Sequence, residues 1–248
     1  MNTPVSIRPQ GDIAIVTLDN PPVNAISAAV RKALWQAVEE IDADPTLRAA
    51  ILICEGRTFI AGADVREFGQ TPEPPHLPDL VDHIEAARVP WIAAIHGAAL
   101  GGGFEIAMGC RFRVAVPQAK IGLPEVTLGI IPGASGTVRT PRLARVEVAV
   151  DLVTSGKPMA APKAREHGLI DAVIEGDLEA GAIAFAKAAL AKPLPAPISE
   201  RPVVAMDDAF WEAKRKLAAK QGHRAPLEAL AAIRRATELP FTEAMAAE

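Results

Sequence analysis

Trp91-Ile92-Ala93-Ala94-Ile95-His96-Gly97-Ala98-Ala99-Leu100-Gly101-Gly102-Gly103-Phe104-Glu105 passes from a short apolar strand, through a glycine-rich turn, into the start of a helix. Glycines let backbone N–H groups approach a ligand closely, and amides at a helix start have no intrahelical partner and carry the positive end of its dipole. Glu105 falls in the first turn of that helix, where the dipole alone could account for a carboxylate. Its neighbours Phe104, Ile106, Ala107 and Met108 are apolar, so the helix is expected to be buried. An acid buried there has its pKa raised by desolvation and lowered by the dipole, a tension suited to proton transfer.

A second carboxylate stands in similar company, Glu125 in Gly122-Leu123-Pro124-Glu125-Val126-Thr127-Leu128-Gly129. A solvated loop acid would explain it equally well. Upstream, Phe59-Ile60-Ala61-Gly62-Ala63-Asp64 supplies another glycine-containing turn after the strand Ala49–Cys54. One N–H from each turn, brought side by side, would form an oxyanion hole; losing one such donor typically costs about 2.7–4 kcal/mol of transition-state stabilisation. Taken singly, each glycine cluster is explained as well by tight helix–strand packing.

The wider pattern is strand alternating with helix. Asp12–Leu18 reads as a strand closed by the turn Asp19-Asn20-Pro21-Pro22, and Ser27 caps a helix with Val30, Leu34, Val38 and Ile41 on one face. Further strands are expected at Pro90–Ile95, Phe112–Val116 and Ile170–Ile174. Helices are expected at Leu77–Arg88, Phe104–Cys110, Gly136–Arg145, Val146–Ser155 and Leu178–Leu190. Strand, glycine-rich turn and helix occur in comparable order twice, around residues 51–68 and 91–109. This alternation indicates an α/β architecture with parallel pairing. Lys192-Pro193-Leu194-Pro195-Ala196-Pro197 reads as an extended linker, followed by helices over Ala209–Gln221, capped by Asp207 or Asp208, and Ala225–Thr237. The chain thus divides into an α/β core (1–195) and a proline-rich linker with a helical tail (196–248).

Composition excludes several classes of function. Across 248 residues, 26 basic and 30 acidic side chains give a formal net charge of −4, which argues against a broad nucleic-acid surface. Half of the chain is hydrophobic (50%), enough for a sizeable core. Cys54 and Cys110 both lie in apolar stretches and are expected to be buried thiols. Met1–Gln10 lacks the apolar region of a secretory signal, and Trp91–Gly109, with His96, Glu105 and several glycines, would be a poor bilayer helix. No membrane partner and a cytoplasmic location are expected. The five histidines show no metal-ligand spacing, so no metal site is expected. Gly101-Gly102-Gly103 lacks the dinucleotide-binding spacing, and Ser135 in Gly133-Ala134-Ser135-Gly136-Thr137 breaks the nucleophile-elbow pattern, leaving a serine hydrolase a weak alternative. Lys214-Arg215-Lys216 with Lys220 reads as a solvated helix face.

Trp91 through Glu105, then Gly122-Leu123-Pro124-Glu125 and Gly129-Ile130-Ile131-Pro132-Gly133, together with Ala61-Gly62-Ala63-Asp64 and Asn24-Ala25, resemble the crotonase superfamily of enoyl-CoA hydratases and isomerases. The resemblance covers about residues 12–190. It implies a spiral core of ββα units with a C-terminal helical tail. It further implies that the Ala63 and Gly102 N–H groups hold a thioester oxygen, and that Glu105 and Glu125 hold one water between them for addition to C3 of a 2-enoyl-CoA. Ala25, Ala61, Gly62 and Asp64 would line or shape the groove for CoA, which is part of the substrate; no cofactor is implied. Having both glutamates favours hydration over the alternative, isomerisation of 3-enoyl-CoA to 2-enoyl-CoA; a non-catalytic acyl-CoA-binding subunit is a further alternative. The sequence departs from the family's usual pattern at Arg111, Ser135, Val138 and Thr140. Simple members are trimers or hexamers, whereas the tail from Phe210-Trp211 to Leu239-Pro240-Phe241 is similar to the segment behind the hydratase module of fused multifunctional fatty-acid oxidation enzymes. The partners implied are therefore an acyl-CoA thioester and either further copies of the chain or fused catalytic domains.

Overall fold

A computed structural model describes residues 3–67 and 69–248; residues 1, 2 and 68, which belong to the leader reading and the first strand-turn-helix unit, lie outside it. The chain opens with a hairpin, β1 (Val5–Gln10) and β2 (Ile13–Leu18), followed by α1 (Ala28–Ala43) and β3 (Ala49–Cys54). A loop with a 3-10 turn at Val65–Glu67 leads to α2 (Leu77–Ala86), β4 (Trp91–Ile95), β5 (Ala98–Leu100), α3 (Gly102–Gly109), β6 (Phe112–Ala115) and β7 (Lys120–Gly122). After a 3-10 turn at Glu125–Leu128 come α4 (Gly136–Leu143), α5 (Val146–Ser155), β8 (Met159–Ala160), α6 (Ala161–Glu166), β9 (Ala172–Val173) and α7 (Leu178–Leu190). A third 3-10 turn at Ile198–Glu200 precedes α8 (Asp208–Ala219), α9 (Ala225–Glu238) and α10 (Phe241–Ala247).

The strands form two sheets, a large one in the order β1-β2-β3-β4-β6-β9 and a small one in the order β5-β7-β8. In the large sheet only the β1–β2 pair is antiparallel. Its central strands are apolar on both faces because both faces are covered. Ile13, Ile15, Ala49, Ile51, Ile92 and Ala94 meet Ala182 and Ala186 of α7 on one side. Alternate residues, among them Val16, Leu52, Ala93 and Ile95, join the main core with α1, α2 and α3 on the other. The isolated bridges Ile26↔Ala63 and Ile60↔Ala99 extend the small sheet across the first two crossovers. The turns that begin at β2, β3, β4 and β6 thus run from a large-sheet strand through a short second-sheet segment toward a helix, by way of a 3-10 turn after β3 and after β7, which is the spiral of ββα units that the sequence implies.

Ser27 caps α1 by accepting from the Val30 N–H (3.3 Å), and Asp207, not Asp208, caps α8. Three expectations shift. Around residues 51–68 the glycine-containing turn leads into one 3-10 turn rather than a helix. Strand β1 was not anticipated, because beyond Ile7 it carries Arg8 and Pro9 and is exposed, as an edge strand can be. The helix expected over Gly136–Arg145 stops at Leu143, two residues past the internal Pro141.

Residues beyond 195 pack into the main core: Ile198, Trp211, Leu230 and Ile233 are buried in it. An ionic cluster centred on a buried arginine joins α4 to α2. Arg139 of α4, fully buried, pairs with Glu85 (2.5 Å) and Asp82 (2.6 Å) of α2, while Glu85 accepts from the Ser199 N–H (3.2 Å). Removing the guanidinium leaves Glu85 buried beside no cation. Arg139→Met is therefore expected to lower unfolding free energy in urea by about 3–5 kcal/mol, and a loss below about 1 kcal/mol would refute the role of the cluster.

Candidate active site

The site lies where the second-sheet segments hand over to their helices. Hydrogen bonds from Ile26 N to Gly62 O (2.9 Å) and from Asp64 N to Ile26 O (3.1 Å) fix the strand-like register on either side of Ala63. Gly101, at φ 53°, turns the chain from β5 into α3. The two turns touch: a Cβ on Gly102 would lie 3.7 Å from the Ala63 nitrogen. Among the described residues, neither the Ala63 nor the Gly102 N–H has a hydrogen-bond acceptor. Both residues line a cavity of about 360 Å³ together with Glu105 and Glu125. All four residues expected to share one place do so.

Glu105 is buried, 2% exposed, in the first turn of α3. Its Oε1 accepts from Ala134 N and Gly136 N, both at 2.8 Å. A Cβ on Gly136 would stand 2.7 Å from that oxygen, so glycine is what lets the loop close on it. Burial raises the Glu105 pKa well above the usual carboxylate range, reinforced by the negative charges of Glu125 and Glu248 and opposed by the two amides. Glu125 opens its 3-10 turn with Oε2 buried and unpartnered among the described residues. Burial, with Glu248 nearby, pushes its pKa up to about 7. Near neutral pH the pair therefore retains a proton that ordinary carboxylates would have lost.

The remaining expected residues spread around this centre. Ala61 and Gly62 line the same cavity, whose walls include Leu77, Leu128, Ile130 and Ile131. Asp64 and Ala63 border a second cavity of about 240 Å³. The Asp64 carboxylate is held by Arg66 (2.7 Å), which also keeps its pKa low. Ala25, half-buried, lines neither cavity; its carbonyl accepts from Asn20 Nδ2 (2.8 Å). Arg31 of α1 binds Glu67 (3.0 Å) and the carbonyls of Glu73 and Pro75, tethering the loop beside both cavities.

Sequence reasoning missed the Ala134 and Gly136 amides, although glycines at 133 and 136 were a usable signal for a close backbone approach. It also missed Glu248 and Arg139, for which no local pattern exists. Ser135 is fully buried and its Oγ accepts from Arg139 Nε (2.9 Å), so no base addresses it and the serine-hydrolase alternative falls. Lys214 is tied to Asp151 (2.5 Å). Cys54 and Cys110 are free and buried, as expected. Among the described residues no group of three or more His, Cys, Asp or Glu side chains could hold a metal ion, and no helix is long and apolar enough to cross a membrane.

Two free amide donors beside two buried acids can meet charge developing on a carbonyl oxygen while protons move next to it. Residues 8–200 match the enoyl-CoA hydratase/isomerase family, and the chain belongs to that family. It is 42% identical over 241 residues to the peroxisomal bifunctional enzyme of Danio rerio, an overlap covering 95% of this chain and 33% of that protein. To a probable enoyl-CoA hydratase of Bacillus subtilis it is 42% identical over 195 residues, 76% of this chain and 75% of the relative. The crystal structure of an enoyl-CoA hydratase from Bacillus anthracis superposes with a TM-score of 0.70 at 30% identity, covering 94% of this chain and 96% of the other. The expectation of a crotonase-like α/β fold with a helical C-terminal region therefore holds. The chain spans about one third of the length of the peroxisomal bifunctional enzymes it matches.

Glu125 provides a test of the site's electrostatics. Its folded pKa, about 7, exceeds the model-compound value of 4.5, so folding is favoured below pH 4.5 relative to higher pH and that advantage fades as pH rises through 7. Glu125→Gln should therefore raise Tm relative to wild type increasingly between pH 4.5 and 7 and level off above, by about 2–4 °C for each kcal/mol of penalty removed. A Tm difference independent of pH would contradict this.

Proposed function

We propose that this chain is an enoyl-CoA hydratase, adding water across the 2,3 double bond of a 2-enoyl-CoA. The observation that carries the reading is the meeting of Glu105 and Glu125 with the free Ala63 and Gly102 amides in one cavity. The names of the relatives support it. The thioester oxygen accepts from both amides, which draws electron density from C3 and prepares it for attack. One carboxylate, ionised, removes a proton from a water held between the pair. The water oxygen bonds to C3, the C2–C3 π electrons move toward C1, and the enolate oxygen gains charge against the two N–H donors. The other carboxyl group gives its proton to C2 as the enolate collapses. One water is consumed and the pair ends with its proton exchanged between partners. The raised pKa values suit this, because one acid must be charged and the other neutral at the same pH.

Apolar walls at Leu77, Leu128, Ile130 and Ile131 suit the acyl chain, while Ala61, Gly62 and Asp64 are proposed to shape the path of CoA, with Ala25 supporting its neighbouring loop. The scheme needs no metal or redox cofactor. Kinship with bifunctional enzymes supports a role in fatty-acid oxidation beside a second catalytic activity, and a cytoplasmic location is inferred from the sequence alone. The boundary near residue 195 is proposed as the seam between the catalytic core and the segment that links such activities.

Glu105→Gln and Glu125→Gln are each expected to lower the rate of crotonyl-CoA hydration, followed by loss of conjugated thioester absorbance, by about 10²–10⁴-fold. CoA binding should be retained in both. Near-normal turnover in both variants would exclude the assignment, and a Glu105→Gln variant that still isomerised 3-enoyl-CoA would identify Glu125 as sufficient for that reaction.

A further inference from the structure

The loop entering α4 serves two carboxylates by turns. The N–H groups of Ala134 and Gly136 go to Glu105, whereas those of Ser135 and Thr137 go to Glu248, at 2.7 Å to Oε2 and 2.9 Å to Oε1. The Thr137 hydroxyl also donates to Glu248 Oε1 (2.5 Å). Ser135 sits at φ 83°, an unusual conformation for a side-chain-bearing residue, and its Oγ is engaged by Arg139. Glu248 is delivered by α10, whose Phe241 ring lies against the guanidinium groups of Arg139 (4.9 Å) and Arg142 (5.3 Å) and whose Ala244 packs with Val138. A segment more than a hundred residues away in sequence thus reaches the loop that holds the catalytic acid.

We infer that Glu248 is a positioning residue for Glu105: by binding Ser135 and Thr137 it fixes the twist of residues 134–137, so that the Ala134 and Gly136 amides stay aimed at Glu105 Oε1. The inference rests on the hydratase reading for its kinetic consequence, but not for its geometry. Without the Glu248 carboxylate, two amides and a hydroxyl lose their acceptor, and the strained turn at Ser135 is free to relax. The charged groups around Glu248 are Arg139 of α4, Glu105 of α3, Glu125 of the 3-10 turn, and Arg235 of α9, which donates to the Ala247 carbonyl (3.3 Å).

The test compares wild type with Glu248→Ala and the size-matched Glu248→Gln, by crotonyl-CoA kinetics and by NMR titration of side-chain carboxyl carbons in protein labelled with ¹³C at glutamate Cδ. In Glu248→Ala, kcat should fall about 10–100-fold with KM within about twofold, the size of effect a displaced catalytic group produces. Glu248→Gln, which keeps one acceptor oxygen, should recover part of the loss. Glu105 should titrate at higher pH in Glu248→Ala than in Glu248→Gln: both variants remove the same neighbouring negative charge, but only Glu248→Ala frees the Ala134 and Gly136 amides that lower the Glu105 pKa. Should Glu248→Ala fail to fold, Glu248→Asp, which keeps the charge but shortens the reach to Ser135 and Thr137, carries both readouts against wild type, a lower kcat and a Glu105 that titrates at higher pH. A lowered Tm with unchanged kcat and no such difference in Glu105 titration would make Glu248 a helix cap and overturn the inference. A wild-type chain inactive on every enoyl-CoA, with the Glu105 titration still differing between Glu248→Ala and Glu248→Gln, would instead overturn the hydratase reading and leave the positioning role standing.

Discussion

Glu105 must be kept out of water and yet be able to carry charge, and the structure around the cavity follows from that conflict. A buried carboxylate is tolerated only where hydrogen bonds replace its hydration. Here the replacement comes from backbone amides of the loop that enters α4 and from the dipole of the helix that bears the residue. That arrangement demands glycine at 136, where any side chain would collide with the carboxylate. At Gly103 a Cβ would lie 2.2 Å from the Ile60 carbonyl oxygen, so the approach of α3 to the first glycine turn carries the same restriction. The close packing that sets the Ala63 and Gly102 amides side by side and the close approach of the loop amides to Glu105 are one geometric requirement met twice.

The spiral explains how such separate pieces converge. Ala63, Gly102 and Glu125 each follow a segment of the small sheet, on successive turns of the same ββα path. Stacking the turns stacks their exits, and the exits face one cavity. Among the described residues, those packed on the opposite face of the large sheet, closed by α7, are not among the ones that line the cavity. The chain matches both a probable enoyl-CoA hydratase over most of its length and one third of longer bifunctional enzymes, as a unit whose cavity is lined by its own turns can.

Much of this is legible in the sequence. Strands β3 and β4 are unbroken apolar runs bounded by polar or turn residues, and α1 and α7 combine periodic apolar faces with capping residues, so their limits fell within a residue or two. Glu105, Glu125 and the two glycine turns were visible because each pairs an acid or a free amide with residues that permit close approach. What escaped lacks a local signature. Strands β5, β7 and β8 are two or three residues long and exist only because they pair with one another. The contacts of Arg139 with α2 and of Glu248 with Ser135 and Thr137 join segments far apart in sequence, and an arginine or a terminal-helix glutamate looks in isolation like any solvated charge.

The two ends of the large sheet have a bearing on colloidal behaviour. One end is β9, two residues long; the other is β1, whose outer half bears Arg8, bound to Glu179 (2.6 Å), and Pro9, which has no N–H to offer. Neither rim presents an uninterrupted apolar ladder onto which a stranger's backbone could zip. Brevity at one margin and an ion pair and a proline at the other are the features that oppose edge-to-edge pairing in a sheet rich in parallel strands.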